Sequence, residues 1–598
     1  MTRLGRLPPP GAPRPRPLEE YACLADGRSV ALLHIDGACD WWSAGRLDGP
    51  PRLARLLDAR RGGSVAVRPL GAVPLAAGWD GETTVARVAW ATAGAGAVEV
   101  RTGLVDGPGG EPALVWWLTG PPGTPVAVEL TAPTAGSARA WSVSAERARL
   151  APGGAPEGPC GGLLVTLAGL RAEPGPQGWR LAIPPAGGLA VWMGAEPAGP
   201  EAAVAALRGR MAADRAFVGR LTLPGAQRAA AVRAALTLWG LQDRGGGGCL
   251  AAPTTSLPQW PGSARTWDYR FAWLRDNADA GLALLRVGAV GEAAAVGAAV
   301  ARQLGADPGG AAPVRCLDGG PVPPERAVPH LSGYGGARPV RVGNAAAGQA
   351  QVDVLGEVVR LAAGLDAHDA CPPALLGAVP ALADAAAARW ADPDHGIWEA
   401  RGAVRAYVHS RVLAWAACDR ALALARRGRL GAGRAPRWAA ARAAIVAAVA
   451  ARGQRPDGSL RMALDDPRAD SSVLAAVLVG FLPETAPAAA ATLDQVVAAL
   501  QRGPSLLRYA VALDGDPTPA GTFTFAGLWA AAVEARLGRS AAAAGRLQAI
   551  LARAGPFGQL SECLHPRTGR LLGNYPQVQS HAAVLEALVA RPGAPLEG

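Results

Sequence analysis

Two patterns of apolar and polar residues divide the chain. From about residue 18 to 222, short runs alternate apolar and polar side chains between Gly/Pro turns: SVALLHIDG, TTVARVAW, AVEVRTGLV, ALVWWLTG and PVAVELTA. Side chains two apart share one face of a strand, so each run predicts a half-buried strand, and their regular recurrence predicts a sandwich. The stretch PEAAVAALRGRMAADRAFVGRLT at 200–222 has helical spacing instead and predicts a helix linking the two halves.

After about residue 224 long Ala/Leu/Val/Arg segments alternate with loops rich in Gly, Pro and aromatic residues. The spacing predicts helices over 225–243, 276–287, 290–304, 347–364, 374–390, 407–427, 436–452, 469–481, 487–502, 521–537, 540–554 and 578–590. Twelve helices without sustained heptads suit an α/α toroid of six hairpins, whose loops at one end form a concave mouth. The domains expected are a disordered Pro/Arg tail at 1–17, a β domain at 18–222 ending in its helical linker, and an α domain at 223–598. A chain of 598 residues exceeds what one core fills, in keeping with this division.

The net charge of +11 raises nucleic acid as a partner. However, the chain has no Lys, its 59 basic residues are all Arg, and these are scattered among acids. Phosphate tracking needs clustered cations, so the charge is read as the imprint of a GC-rich genome. The eight Cys form no CxxC pair and are expected as free thiols in a reducing compartment. The N-terminus has no hydrophobic signal core, and no apolar run reaches about 18 residues, so the expectation is a cytoplasmic protein without a membrane span.

Against this bias the rare residues stand out. The three Asn, at 277, 344 and 574, fall in loop clusters that also hold most of the Tyr. In RTWDYRFAWLRDNAD, from Arg265, adjacent Arg275 and Asp276 close a Trp-flanked loop where a helix begins. Such a pair can grip sugar hydroxyls while Trp267 or Trp273 offers a face to the ring, or it can be a buried salt bridge capping the helix. Arg341 and Asn344 lead into a helix bearing Asp353 and Glu357; a mid-helix carboxylate such as Glu357 is usually exposed or paired. Glu399 follows Ile397 and Trp398 in DPDHGIWEARG, where desolvation would keep a proton on it, as a general acid requires. In isolation it also reads as an ordinary Glu at a helix N-terminus. Arg508 precedes an acidic loop, and Glu562 sits in a loop ahead of Asn574, Tyr575 and Gln577; Arg341, Asn344 and Asn574 are further candidates to bind substrate. Two carboxylates across a sugar-binding cleft are what glycoside hydrolysis uses. No metal-ligand spacing appears among the seven His, and His565 and His581 are expected to be structural.

The chain resembles glycoside hydrolase family 15, the group of glucoamylases, glucodextranases and bacterial trehalases. The likeness starts at YACLADGRSVALLHIDGACDWW (21–42). It continues through APTTSLP, WDYRFAWLRD, GYGGARPVRVGNAAAGQAQVDVLGEV, GIWEARG, SRVLAWAACDRAL and GNYPQVQSHAAVL. The resemblance implies an N-terminal antiparallel β super-sandwich packed on an (α/α)6 toroid, and an inverting, exo-acting hydrolase that releases terminal glucose from trehalose or short α-gluco-oligosaccharides. It implies Glu399 as general acid and Glu562 as the base that activates water, roughly 6.5–9.5 Å apart. Arg275 and Asp276 become the grip on the terminal glucose, with Trp273, Trp398 and Arg508 lining the site. The chain departs from the family pattern at WWSAGRLDG (41–49), Gln259, Thr266 and Ala520, which bears on preference beyond the first glucose.

No cofactor is expected, with phosphate or a divalent ion in play if the chain is trehalase-like. The expected partner is a small carbohydrate, with homo-oligomerisation open. A phosphate-dependent disaccharide phosphorylase and a non-catalytic carbohydrate-binding relative are the competing readings. Glu562 argues against the first, and the presence of both carboxylates against the second.

Overall fold

The computed structural model describes residues 15–93, 96–107, 109–131, 178–185, 188–194, 200–510 and 521–597, and the backbone of short strands at 2–3 and within 141–175. Most of the expected disordered tail and the departure at Ala520 lie outside the described residues. Arg16, within that tail, is described and pairs with Asp36 and Asp40.

Among the described residues the first half forms two large antiparallel sheets, one of seven strands and one of nine. The alternation read from the sequence explains how they stack. In the strands Tyr21–Ala25 and Val30–His34, one set of side chains (Ala22, Leu24, Ala31, Leu33) faces the second sheet across a core with Trp42, Val88, Trp90, Val100 and Trp116. The other set (Tyr21, Cys23, Val30, Leu32) is buried in the core of the helical half. These strands are covered on both faces, which is why they read as nearly continuous apolar runs.

The helix α1 (Pro200–Gly219) lays Ala203 and Leu207 on the outer face of the nine-stranded sheet, against Val85, Val115 and Trp192. Its last turn stacks Phe217 on Trp239 of the next helix, so it does join the two halves.

Among the described residues the second half alternates outer and inner helices, α2 (Arg228–Leu241), α3 (Leu274–Arg286), α4 (Val290–Leu304), α5 (Asp353–Ala367), α6 (Pro373–Arg389) and α7 (Val408–Arg426), with α3 packed on α4 and α5 on α6. They continue with α8 (Ala435–Ala448) and the short α9 (Ala475–Leu478), then α10 (Pro487–Leu500) with α11 (Thr524–Arg536), and α12 (Ser540–Leu551) with α13 (Val578–Val589). The odd-numbered helices from α3 onward form an inner ring, each touching the next, and α13 returns to α3. This is the (α/α)6 toroid anticipated from the sequence.

Burial separates the two rings. The outer α8 buries only Trp438, Ala441 and Ile445, and α12 only Ala543, Leu547 and Ile550, single stripes at helical spacing. Full burial of one such aliphatic side chain stabilises by roughly 1.5–3 kcal/mol. The inner α3, α5, α7 and α11 are buried almost all round. Where α5 meets α7, a Cβ on Gly356 would lie 2.0 Å from the carbonyl oxygen of Leu413, so only glycine permits this approach.

The sandwich also braces one end of the toroid. Gln559 brackets the backbone of Cys23, accepting from its N–H (2.8 Å) and donating to its carbonyl (3.0 Å). Tyr575 donates to the Tyr21 carbonyl at 2.6 Å, and the Trp79 indole donates to Phe557 at 2.7 Å. The segment 557–577, which carries Glu562, is thereby fastened to the β half.

Candidate active site

At the end of the toroid where the inner helices begin lies a cavity of about 410 Å³. Its wall includes Arg275 and Asp276 from the first turn of α3, Phe525 from that of α11, and Gln577 and Gln579 at the start of α13. Helix N-termini present unpaired N–H groups and partial positive charge, a setting that suits anionic side chains and hydroxyl acceptors.

Glu399 enters the wall from the loop 392–402. Its backbone is in the left-handed region (φ 53°), a conformation uncommon for a residue with a side chain, so the surrounding contacts must hold it there. Those contacts are visible. Its Oε1 accepts from the Trp273 indole (2.6 Å), Arg275 (3.1 Å) and Gln351 (3.2 Å), and its backbone carbonyl accepts from Gln349 (3.1 Å). Arg275 is in turn fixed by Asp353 (3.0 Å) and Gln351 (3.1 Å). All three side-chain donors converge on one oxygen. Oε2 has no hydrogen-bond partner among the described residues, on a side chain 20% exposed in the cavity wall.

Glu562 is held differently. It stands just ahead of the strand Cys563–Leu564, with its N–H on the Asn574 carbonyl (3.1 Å) and its own carbonyl on the Thr524 N–H (2.9 Å). Its Oε1 accepts from the Tyr269 hydroxyl (2.6 Å) and the Gln259 amide (2.7 Å). Oε2 is buried without a partner among the described residues, against Gly573, where a Cβ would lie 2.4 Å away. Burial pushes the Glu562 carboxyl above its ordinary range, and the donors Tyr269 and Gln259 with the charge of Arg508 oppose this only in part. Burial and the charges of Glu562 and Glu399 keep the Tyr269 phenol well above its ordinary value, so it stays a donor.

One contact joins the two carboxylates. The ring of Tyr269, on Glu562, packs against that of Trp273, on Glu399, with centroids 5.4 Å apart. Two acids from loops more than 160 residues apart in sequence thus share one cavity and one aromatic brace. Residues 225–557 match the family model for glycosyl hydrolases family 15. The chain belongs to this family.

Relatives extend the match. A trehalase of Mycolicibacterium smegmatis is 36% identical over 371 residues, 60% of this chain and 55% of that protein. Trehalase 1 of Sulfolobus acidocaldarius is 32% identical over 361 residues, 59% of this chain and 61% of that one. The chain therefore spans little more than half the length of the first curated relatives it matches. A crystal structure of a bacterial glucoamylase complexed with acarbose superposes with a TM-score of 0.68 at 12% identity, covering 98% of this chain and 97% of that one, and shows the shared fold.

In this family 15 chain the remaining expected site residues separate by what their side chains already do. Asp276 lines the cavity, and burial lifts its carboxyl to about 7 against the pull of Arg275. Trp398 forms wall by stacking on Phe525 (5.7 Å), with its indole N–H donated to Asp470 at 2.9 Å. Arg508 lies over Phe523 at 4.9 Å, facing Glu562. The Arg275 guanidinium is engaged by Asp353, Gln351 and Glu399, so its position fixes Glu399. Trp267 is in the wall with the guanidinium carbons of Arg401 and Arg341 at 3.8 and 4.4 Å from its ring centre. Arg341 donates to the carbonyls of Ala264 and Thr266, and Asn344 caps the turn Ala345–Gly348; both line the cavity as scaffold.

Asn574 does not line the cavity. It accepts from Thr254 (3.0 Å) and donates to the Trp267 carbonyl (2.9 Å), tying two loops together behind the wall. Glu357 pairs with Arg360 at 2.6 Å, away from that wall. His581 accepts from the Leu560 N–H (3.3 Å) as a buried, structural ring. The partners that sequence reasoning did not place in the site are Tyr269, Gln351, Asp353 and Asp470. Tyr269 was marked only by its rarity, and Gln259 only as a departure from the family. Among the described residues no three His, Cys, Asp or Glu are grouped to hold a metal ion, and no helix is long and apolar enough to cross a membrane.

Proposed function

We propose that the protein is an inverting hydrolase of short α-glucosides that releases terminal glucose, with trehalose as its principal substrate. The observation that carries this reading is the pair of differently held carboxylates, Glu399 and Glu562, lining one cavity and braced by Trp273 and Tyr269. The relatives named trehalase support the choice of substrate.

Glu399 is the general acid. With Oε1 held by three donors, Oε2 is the oxygen free to carry a proton to the departing glycosidic oxygen. Glu562 is the general base: ionised, it takes a proton from the water that attacks the anomeric carbon from the opposite face. The carboxyls would stand roughly 6.5–9.5 Å apart, room for that water, and the bond broken at an α-linkage yields β-glucose first. Asp276 accepts from hydroxyls of the terminal ring, while Trp398 and Phe525 cover its apolar face. This chemistry runs on two carboxylates and water and uses no cofactor.

The test is incubation with trehalose, maltose, isomaltose and maltotriose, each with and without phosphate, with the first-formed anomer followed by NMR. The expected result is phosphate-independent hydrolysis, fastest with trehalose, which gives β-glucose from the attacked unit and an equal amount of α-glucose from the departing one, while the terminal unit of the maltose-type sugars appears as β-glucose. Formation of glucose 1-phosphate, α-glucose without β-glucose as the first product of trehalose, or no release from any sugar would overturn it.

A further inference from the structure

The floor and rim of the cavity differ in one respect that the acid–base pair does not explain. The floor is closed: Asp276, Trp398, Phe525, Gln577 and Gln579 are all buried. Among the described lining residues Ala264 and Arg401 are exposed and Trp267 and Arg341 half-buried, so on the hydrolase reading a terminal hexose fills the floor and the leaving group lies at this rim. Arg401, which lines this rim, is held there by an ion pair to Glu325 behind it. Arg401, two residues beyond Glu399, donates Nη1 and Nη2 to the two carboxylate oxygens of Glu325 at 2.8 and 2.6 Å, a bidentate pair. Glu325 precedes the strand Arg326–Ala327, on a loop otherwise separate from the Glu399 loop, and it also receives Arg341 (3.2 Å) and the Ala345 N–H (3.3 Å). The guanidinium of Arg401 lies 3.8 Å above the ring of Trp267. The side chain of Arg401 is 34% exposed and that of Glu325 only 16%, so the anchor is inside and Arg401 faces outward.

A bidentate pair shared with Arg341 holds its position more firmly than an isolated surface ion pair, so Arg401 stands at the rim as a fixed group. We propose that the Arg401–Glu325 pair is a specificity-determining bar that closes the leaving-group side of the cavity, admitting a disaccharide and excluding a longer chain. The inference rests on the hydrolase reading for which end of the ligand is which. A cavity of about 410 Å³ lies toward the small end of ligand sites, which run roughly 300–1,000 Å³. Arg401 also caps the Trp267 face on which a further sugar would stack.

The test compares Arg401→Ala, Glu325→Gln and Arg401→Lys with the wild type, using the ratio of kcat/KM for maltotriose to that for trehalose. Removal of the bar should raise this ratio roughly tenfold in the Ala and Gln variants, the scale of one regained contact. Lys, which keeps the charge but loses the bidentate fork, should raise it less. Unchanged melting temperatures would separate this from misfolding, since a merely structural pair would lower both substrates together and leave the ratio fixed. A fixed ratio in both the Ala and Gln variants overturns the bar. If the wild type hydrolyses none of the sugars, the hydrolase reading fails first. The bar is then judged by calorimetric binding of maltotriose against trehalose, where the same rise supports it and a fixed ratio rejects it.

Discussion

Glu399 and Glu562 line one cavity, but the chain holds them by different physics. Glu399 sits on a left-handed residue, with an arginine, an indole and an amide directed at one of its oxygens. Glu562 is 1% exposed, with two neutral donors on one oxygen and none on the other. Around the first, directional and partly ionic contacts fix orientation. Around the second, low dielectric governs the cost of the charge itself. The loop that carries Glu399 is positioned by the inner helices, through α3 and the segment entering α5. The loop that carries Glu562 is positioned from outside the toroid, by the Gln559 and Tyr575 bonds to the first strand of the sandwich. The β half therefore helps to place Glu562, although none of its described residues lines the cavity wall.

The sharpest way to break this comparison is to neutralise each acid and vary the leaving group. Glu399→Gln and Glu562→Gln should each lower kcat on trehalose by roughly 10²–10⁴-fold, the range for general acid–base groups. On 4-nitrophenyl α-glucoside, whose leaving group departs without protonation, Glu399→Gln should recover most of that loss and Glu562→Gln none. Recovery in the Glu562 variant instead would exchange the two roles.

The next largest effect concerns the donors. Tyr269→Phe removes a hydrogen bond to a buried carboxylate, worth about 1.5–3 kcal/mol, and should cost at least tenfold in kcat/KM. As the proposed base Glu562 acts ionised, and burial places its carboxyl above the ordinary range, so activity should fall as pH drops through that raised value. The Phe variant should move this acid limb further up, because the lost donor favoured the charged form. Trp273→Phe takes one of three donors from Glu399 and should slow turnover without moving that limb. A pH–rate profile of each variant decides the matter, and an acid limb unmoved by Tyr269→Phe would detach Glu562 from the base role.

The parts of this site differ in how visible they were before the structure. Helical spacing is a local property, so the twelve hairpin helices could be read off one at a time, and the change from period two to helical spacing marked the shift in architecture. Glu399 and Glu562 were conspicuous because each stands among aromatics or amides in a loop. What one sequence does not carry is pairing across the ring. Gln351 reaches Glu399 from the segment entering α5, and Asp470, at the start of the α9 turn, holds Trp398 from a stretch that reads only as helix. Asn574 shows the converse error. Its rarity and its loop suggested contact with sugar, but an amide can donate and accept at once, which also makes it a good tie between two backbones. Arg275 was read either as a grip on substrate or as part of a buried salt bridge capping its helix; it is buried in ion pairs, but with Asp353 and Glu399, partners that depend on how far α3, α5 and the Glu399 loop approach.

The smallest expected effect tests burial directly, through stability. Because the folded-state value for Glu562 is raised, there is a pH window in which the folded chain keeps a proton that the unfolded chain has released. Stability then falls as pH rises through that window, from the ordinary carboxylate range up to the raised value, and the deficit stays constant above it. Glu562→Gln keeps an oxygen for Tyr269 and Gln259 but carries no charge. Its melting temperature should match the wild type at low pH, overtake it by a few degrees as pH rises through the window, and then run parallel. Glu399→Gln should do the opposite and melt lower at neutral pH, since the directed bonds from Trp273, Arg275 and Gln351 to one oxygen are weakened or misaligned. Melting curves of both variants across pH separate the two environments independently of catalysis. If Glu562→Gln melts below the wild type at neutral pH, the contacts at Oε1 outweigh burial, and the two carboxylates are held by the same physics after all.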